Sequence, residues 1–236
     1  MIPFGVMFLV LRSMYQNRSV IHSYTSGQMI FYYFMVVLIS GMSSTHFEGW
    51  RIEEIRRGQI DVYLLRPFSY LKEILLNDLA GKLLYILLFT PIYIGFYFLA
   101  QSILPFTLPT FTATTLLLFI FFIIFAYVVE MCIGISIVLL GFWFEGSQGL
   151  EHFKWISITL LSGSMIPLEF LPPWLKNITA RLPFQYMYAF PINLIQGRAT
   201  FSLSDFAIIL ISCIVLFGLV TLLWKKALYT YTSSGG

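Results

Sequence analysis

The chain has 236 residues, of which 58% are hydrophobic and 11% are charged, and its mean hydropathy is +0.84. A soluble fold cannot cover so much apolar surface, so this composition excludes one and indicates an integral membrane protein. The net charge of +3 comes from few charged residues and does not indicate a nucleic-acid partner. Because no hydrophilic stretch is long enough for a soluble domain, we predict a single transmembrane domain over residues 1–236.

Apolar segments with at most one charged residue each predict an all-α, polytopic fold with five full spanning helices. The opening apolar run, residues 1–11, is shorter than the roughly 20 residues that a spanning helix needs. It also lacks the basic leader and cleavage site of a signal peptide, so we expect a short or truncated first span. The full spans are predicted at residues 27–43, 83–104, 111–143, 155–171 and 206–224.

The third of these spans, residues 111–143, is unusually long. As a helix it would measure about 50 Å, whereas a bilayer core is ~30 Å thick, so we expect it to tilt, project or kink near Gly134. Glu130 is the charged residue inside this span. Its expected position near the cytoplasmic end favours a structural or interface role, with proton coupling as the alternative.

Residues 48–67 form a charge-dense segment between apolar tracts. Glu53 and Arg57 are four residues apart with the acid first, which is the favoured order for a pair on one helical face. We therefore predict a helix over about residues 47–57 that ends at Gly58, because glycine readily adopts a positive φ. Such a helix fits a docking element for a soluble partner, and it fits a solvated cytoplasmic loop equally well.

The distribution of basic residues predicts the orientation of the chain in the membrane. We place the charged loop, taken as residues 45–82, in the cytoplasm and let the spans alternate. The larger basic set is then cytoplasmic: Arg51, Arg56, Arg57, Arg66, Lys72, Lys82, Lys154, Lys225 and Lys226. The smaller set is external: Arg12, Arg18, Lys176, Arg181 and Arg198. This excess of cytoplasmic basic residues agrees with the proposed placement of the loop.

The sequence predicts neither an enzyme nor a metal protein. A hydrolytic dyad or an aspartyl pair inside the membrane is not expected, because the histidines and aspartates lie in loops or at span edges: His22, His46, His152, Asp61, Asp78 and Asp205. No ligand-type residues recur at the helical spacing of a metal site. The phosphate-binding pattern G-x-x-x-x-G-K-[ST] is absent, so any nucleotide that drives this protein would bind another chain.

Two stretches resemble the permease subunits of bacterial type-2 ABC exporters. Residues 55–67, IRRGQIDVYLLRP, match the cytoplasmic signature I-R-R-G-x-[IL]-D-x-x-L-L-R-P of those permeases at every fixed position. Residues 162–172, SGSMIPLEFLP, followed by residues 182–184, LPF, are similar to the pattern that leads from their fifth span into external half-helices. The resemblance extends from about residue 27 to the end of the chain. It implies six spans in the complete form, of which we expect the first to be incomplete here.

The resemblance also implies partners. In such permeases the cytoplasmic loop forms a coupling helix that docks on a separate ATPase subunit, which binds ATP and Mg²⁺. The residues carried over to this role are Glu53, Glu54, Arg56, Arg57, Gly58, Asp61, Arg66 and Pro67. Two permeases, identical or paralogous, would surround the translocation path together with two ATPases in a bacterial cytoplasmic membrane, and nucleic acid has no role.

For residues 172–204 the resemblance implies a pair of external, re-entrant half-helices before the last span. Alternating aromatic residues in this region would form either a rim that gates an apolar cargo or a belt at the membrane interface. The candidates for the pathway or its gate are Glu130, Gly163, Pro167, Phe184, Tyr186 and Tyr188.

Two other functions stay open at this level. An ion-driven secondary transporter would show ion sites at mid-depth and inverted repeats, and no repeat is evident in the sequence. A membrane scaffold or immunity protein would use the charged loop to bind a partner without transporting anything.

Overall fold

The computed structural model describes residues 13, 15, 20–21, 24–103, 112–144 and 148–231, so the opening run 1–11 lies outside the described residues. The helices are α1 (Ser26–Ser43), α2 (Glu48–Arg56), α3 (Ile60–Leu64), α4 (Tyr70–Ile103), α5 (Ala113–Leu140), α6 (Gln148–Leu161), α7 (Pro173–Thr179), α8 (Ala189–Ile195) and α9 (Leu203–Thr230). Short 3₁₀ turns cover Leu168–Phe170 and Pro183–Tyr186. Strands β1 (Val20–Ile21) and β2 (Tyr24–Thr25) form a small antiparallel pair before α1. The predicted all-α architecture is confirmed.

Capping boxes fix the starts of three long helices, α1, α5 and α9. The Thr25 side chain accepts a hydrogen bond from the Gln28 backbone N–H, and the Gln28 side chain accepts one from the Thr25 N–H. Thr112 caps α5 and Ser202 caps α9 in the same reciprocal way. Because the first N–H groups of a helix have no acceptor within it, these side chains determine where each helix begins.

Among the described residues, four helical stretches are long and apolar enough to cross a membrane: Ser26–Arg56, Tyr70–Gly95, Ala113–Leu140 and Leu203–Thr230. They cover or overlap the spans predicted at residues 27–43, 83–104, 111–143 and 206–224. The first stretch joins α1 to α2 through the short segment 44–47. The polytopic character of the chain therefore follows from both sequence and structure.

The span predicted over residues 155–171 is wrong as a continuous helix. Helix α6 begins earlier, at Gln148, and ends at Leu161 after 14 residues, or about 21 Å. The chain stays apolar beyond Leu161, but Gly163 has a φ of +84° and its conformation ends the helix. Pro167 then leads into a 3₁₀ turn. The apolar composition predicted a longer helix, because composition does not reveal the positive φ at Gly163 that ends it.

Helix α5 is the centre of the bundle and packs against α1, α2, α6, α8 and α9. It has 28 residues and a length of about 42 Å, so it is longer than a ~30 Å bilayer core, as expected. The helix continues through Gly134, where the sequence allows a kink. The glycine instead leaves room for a side chain of α2, as described below.

Two apolar clusters divide the core. One joins α1, the first half of α5 and the segment around α8, with many aromatic residues. The other lies under α2 and α3 and includes the second half of α5 and the end of α9. By contrast, α4 and α9 leave most of their apolar side chains exposed on the outside of the bundle.

The region of the predicted half-helices contains the short helices α7 and α8. The Tyr24 hydroxyl, just before α1, donates to Asn193 Oδ1 at 2.9 Å. Near the other end of α1, the Tyr188 hydroxyl lies 3.4 Å from Ser44 Oγ. This region therefore packs along α1 from one end to the other. Its depth in a bilayer stays a prediction.

We expect Gly163→Ala to lower the free energy of unfolding by about 2–3 kcal/mol, because it adds a strained φ and a steric clash. A Cβ at this position would lie 2.8 Å from the Ala189 Cβ and 2.8 Å from the Tyr32 hydroxyl. Gly197→Ala is the matched control, since Gly197 has a φ of +68° and no atom lies within 4 Å of an added Cβ. This control should lower the free energy of unfolding by only about 1 kcal/mol. Thermal unfolding of the purified variants compares them, and equal effects would contradict the proposed clash.

Candidate functional site

Helix α2 has a buried face and an exposed face at one end of the bundle. Glu48, Arg51, Ile52 and Ile55 are buried, whereas Arg56 and Arg57 are exposed. The helix ends where the sequence predicts, because Gly58 adopts a φ of +69° just after it. The segment is therefore packed against the bundle on one side and open on the other.

The buried face of α2 is joined to the bundle by the ammonium group of Lys154. Lys154 Nζ donates to Glu48 Oε1, and it lies 3.4 Å from Glu130 Oε2. It also donates to the Thr45 carbonyl at 3.0 Å and to Thr45 Oγ1 at 3.2 Å. All four residues are buried. We call them the Lys154 cluster, and it connects α2, α5 and α6 through one side chain.

Gly134 allows Glu48 to approach α5 closely. A Cβ on Gly134 would lie 2.5 Å from Glu48 Oε1 and 3.0 Å from Phe47 Cζ. Any larger residue would therefore displace the carboxylate from Lys154. The Glu48 side chain is fully buried, and its Oε2 has no hydrogen-bond partner among the described residues.

Arg51 connects the same face of α2 to the next two helices. Its Nη1 donates to Glu54 Oε2 at 2.8 Å, and its Nη2 lies 3.7 Å from Glu73 Oε1 on α4. The guanidinium group also lies 5.8 Å from the ring centre of Tyr63 and 5.6 Å from that of Tyr70. Although Arg51 is 1% exposed, its charge is thus compensated by carboxylates and aromatic rings.

The exposed face combines charged and apolar side chains. Arg57 Nε donates to Glu53 Oε1 at 2.9 Å, which is the pair expected from the spacing, and Arg56 lies 3.7 Å from the same carboxylate. Exposed apolar residues follow in and after α3, of which Leu65 is 87% exposed. We define the α2–α3 surface as Glu53, Arg56, Arg57, Val62, Leu64, Leu65, Arg66, Pro67 and Phe68.

A cavity of about 630 Å³ lies beside the Lys154 cluster. Glu130 and Lys154 line its polar end, and most of the rest of its wall comes from α1, the segment 44–47, α6 and the turn after α6. The cavity therefore shares two charged side chains with the cluster that holds α2.

A protein-family model described as ABC-2 family transporter protein matches residues 1–235. The chain belongs to the ABC-2 transporter family. It is thus the membrane component, or permease, of an ABC transporter and a multi-pass membrane protein. No curated protein and no solved structure was found to match it.

In the structure, the residues predicted to couple this ABC-2 permease to a partner fall into two groups, one on the open face and one with contacts inside the protein. Glu53, Arg56 and Arg57 lie together on the open face of α2, and Arg66 and Pro67 are exposed after α3. Glu54 instead turns to Arg51, and Asp61 accepts a hydrogen bond from the Tyr231 hydroxyl at 2.7 Å. Asp61 therefore holds the segment against the residue that follows α9, whereas Glu54 compensates the charge of the buried Arg51 within α2.

The candidate pathway residues of the permease lie in three places. Glu130 and Tyr188 both line the cavity. Gly163 and Pro167 are buried in the turn after α6, where the Tyr32 hydroxyl donates to the Gly163 carbonyl at 2.6 Å. A gating role for any of them stays a prediction.

The two aromatic candidates outside the cavity, Phe184 and Tyr186, belong to the apolar cluster around α1 and α5. The Tyr186 hydroxyl donates to Asp205 Oδ1 at 2.7 Å. Burial and this hydrogen bond raise the pKa of Tyr186.

Sequence reasoning missed Glu48 and Lys154 as site residues. The two are separated by 106 positions, and no local spacing connects them. The available signal was weak: both are charged residues at the ends of apolar segments, and a charge buried there needs a partner.

We expect Lys154→Met to lower the free energy of unfolding by about 3 kcal/mol or more, because it leaves two buried carboxylates without their cation. Thermal unfolding of the purified permease measures the change. Lys176→Met, at an exposed position, is the matched control and should have little effect. A variant that combines Lys154→Met with Glu48→Gln and Glu130→Gln should recover much of the loss. Equal stability of Lys154→Met and the control would contradict the role of the cluster.

Proposed function

We propose that this ABC-2 permease is the membrane subunit of an ATP-driven exporter and that it couples to a separate ATPase through the α2–α3 surface. The observation that carries this proposal is the two-sided construction of α2. One face is open and bears basic and apolar groups, while the other face is joined to α4, α5 and α6 through the buried side chains of Arg51 and Glu48.

The open face has the composition of a protein-binding surface. Arg56 and Arg57 offer guanidinium groups that can pair with carboxylates of a partner in a defined geometry. Leu65 and Phe68 add exposed apolar area next to them, and such area is rarely left uncovered without a function. A solvated loop with no partner would not need these apolar side chains at its surface.

The buried face provides the mechanical connection. Because Lys154 holds Glu48 and Glu130 together, a displacement of α2 would be transmitted to α5 and α6. Arg51 extends the connection to α4 through Glu73. Movement of α2 as a rigid body with these helices would alter access to the translocation path.

The remaining parts of the proposal extend what the resemblance of residues 55–67 implies. The partner subunit binds ATP and Mg²⁺ and hydrolyses the nucleotide, so the permease itself is not an enzyme and carries no cofactor. Two permease copies, identical or paralogous, form the path in a bacterial cytoplasmic membrane. The exposed apolar faces of α4 and α9 contact lipid or the second copy.

The alternatives have less support. Glu130, the candidate ion site of a secondary transporter, lies 3.4 Å from Lys154 and contributes to a structural cluster. A scaffold without transport would not require the connection from α2 to the membrane helices.

Reversal of charge on the open face should weaken the ATPase complex. We expect Arg56→Glu with Arg57→Glu to reduce affinity for the ATPase subunit by about tenfold or more, because two favourable charge contacts become repulsive. Co-purification and ATPase rates of the reconstituted complex measure this effect. Lys176→Glu with Arg181→Glu makes the same charge change on exposed residues near α7 and should leave binding unchanged. Normal association of the first variant would refute docking at this surface.

A second prediction tests whether movement of α2 is transmitted to the membrane helices, independently of whether the ATPase docks on the α2–α3 surface. Gly134→Ala should displace Glu48 while leaving the α2–α3 surface chemically intact. We expect association with the ATPase to be retained but the permease-dependent ATPase rate to fall by about threefold or more, a typical size for a coupling change. Gly218→Ala on α9, where no atom lies within 4 Å of an added Cβ, is the control. Unaltered rates in both variants would show that the Lys154 cluster does not transmit motion.

A further inference from the structure

The cavity beside the Lys154 cluster has a polar end and an apolar end. Its polar end includes Glu130, Glu151 and Lys154. Its other walls are mainly apolar and include Val36 and Val37 from α1, together with Ile158 from α6 and Met165 from the turn after it. A volume of about 630 Å³ lies within the range of small-molecule sites. This division matches a ligand with one polar head and an apolar body.

The charges at the polar end are not balanced. Among the described residues that line the cavity, Glu130 and Glu151 supply carboxylates, Lys154 supplies an ammonium group, and His46 and His152 supply imidazoles. Glu48 adds a third carboxylate through its ion pair with Lys154, whereas Asp78 and Lys82 line a separate cavity. Lys154 is already shared between Glu48 and Glu130, and Lys82 interacts with Asp78 and donates to the Ser44 carbonyl. The surplus charge is therefore negative.

Glu151 is the carboxylate with capacity for a ligand. It is half-buried on α6 and lines the cavity, and its Oε2 lies against Gly49 of α2. Among the described residues, it has neither a hydrogen bond nor an ion pair. Aromatic rings of Tyr33, Trp155 and Tyr188 line the same cavity and can hold a cation against their faces.

We propose that this cavity binds an amphiphile with a cationic amine head group. The head group pairs with Glu151 and Glu130, and the apolar body packs between α1 and α6. Binding of such an amphiphile does not depend on the proposed transport function. Its role as a cargo, or as an analogue of one, does rest on that function. An anionic amphiphile is disfavoured, because it would add a negative charge where carboxylates are already in excess.

Binding can be measured on the permease alone, in lipid nanodiscs without any ATPase. The probes are two dodecyl amphiphiles with a dansyl group at the chain end, one with a trimethylammonium head and the other with a carboxylate head. Energy transfer from tryptophan to dansyl reports binding, and Trp155→Phe shows which part comes from the cavity wall. We expect the cationic probe to bind at least about tenfold more tightly than the anionic one.

Variants of the cavity test the site itself. Glu151→Gln should weaken binding of the cationic probe by about fivefold, as expected for one lost charge pair in a partly exposed position. Glu53→Gln makes the same charge change at an exposed position outside the cavity and, because the measurement contains no ATPase, should leave binding of the probe unchanged. Val37→Phe should reduce binding of the cationic probe by filling the apolar end.

Equal affinity for both probes, or unchanged cation binding in Glu151→Gln and Val37→Phe, would overturn the proposal. Either result would leave docking of the ATPase intact, because the measurement contains no ATPase. Conversely, a permease could bind the cationic probe selectively and yet fail to associate with an ATPase. That result would support the proposed ligand site in the cavity and refute the coupling proposal.

Discussion

The arrangement of this permease depends on one buried interaction, the contact of the Lys154 ammonium group with Glu48 and Glu130. Burial of three charges is expensive in free energy, and their mutual attraction only partly offsets the cost. Such a cluster is therefore weak evidence for stability and stronger evidence for a required geometry. In this protein it fixes the position of α2 relative to α5 and α6, and Gly134 supplies the space that makes the contact possible.

The same charged groups lie between two surfaces with different chemistry. On one side is the α2–α3 surface, which offers guanidinium groups and apolar side chains to a partner. On the other side is the cavity, which contains Glu130 and Lys154 in its wall. A cation in the cavity would compete with Lys154 for the Glu130 carboxylate and would so alter the interaction that holds α2. The structure thus offers a direct physical route between a ligand and the proposed docking element.

The segment after α6 shows how backbone geometry redirects an apolar chain. Composition favours a helix well past Leu161, but Gly163 adopts a positive φ and its carbonyl accepts a hydrogen bond from Tyr32. The backbone N–H of Ala189 then donates to the Ser162 carbonyl at 3.0 Å, which connects this turn to α8. Polar backbone groups released by the end of a helix are satisfied within the protein, as an apolar environment requires. The shortened α6 is what brings Met165 and Tyr188 to the cavity wall.

The sequence by itself determined the membrane class, four of the spans, the helix that ends at Gly58 and the family signature over residues 55–67, because hydropathy, helical spacing and glycine conformation are local properties. Through the resemblance it also selected Arg56 and Arg57 as contacts for a partner, and it singled out Glu130 as a charge inside a span. Only the tertiary structure decided that Lys154 contacts both Glu130 and Glu48, that Asp61 accepts a hydrogen bond from Tyr231, and that α6 stops early. Which buried charges pair depends on how distant helices pack, and no local pattern in the chain encodes that packing.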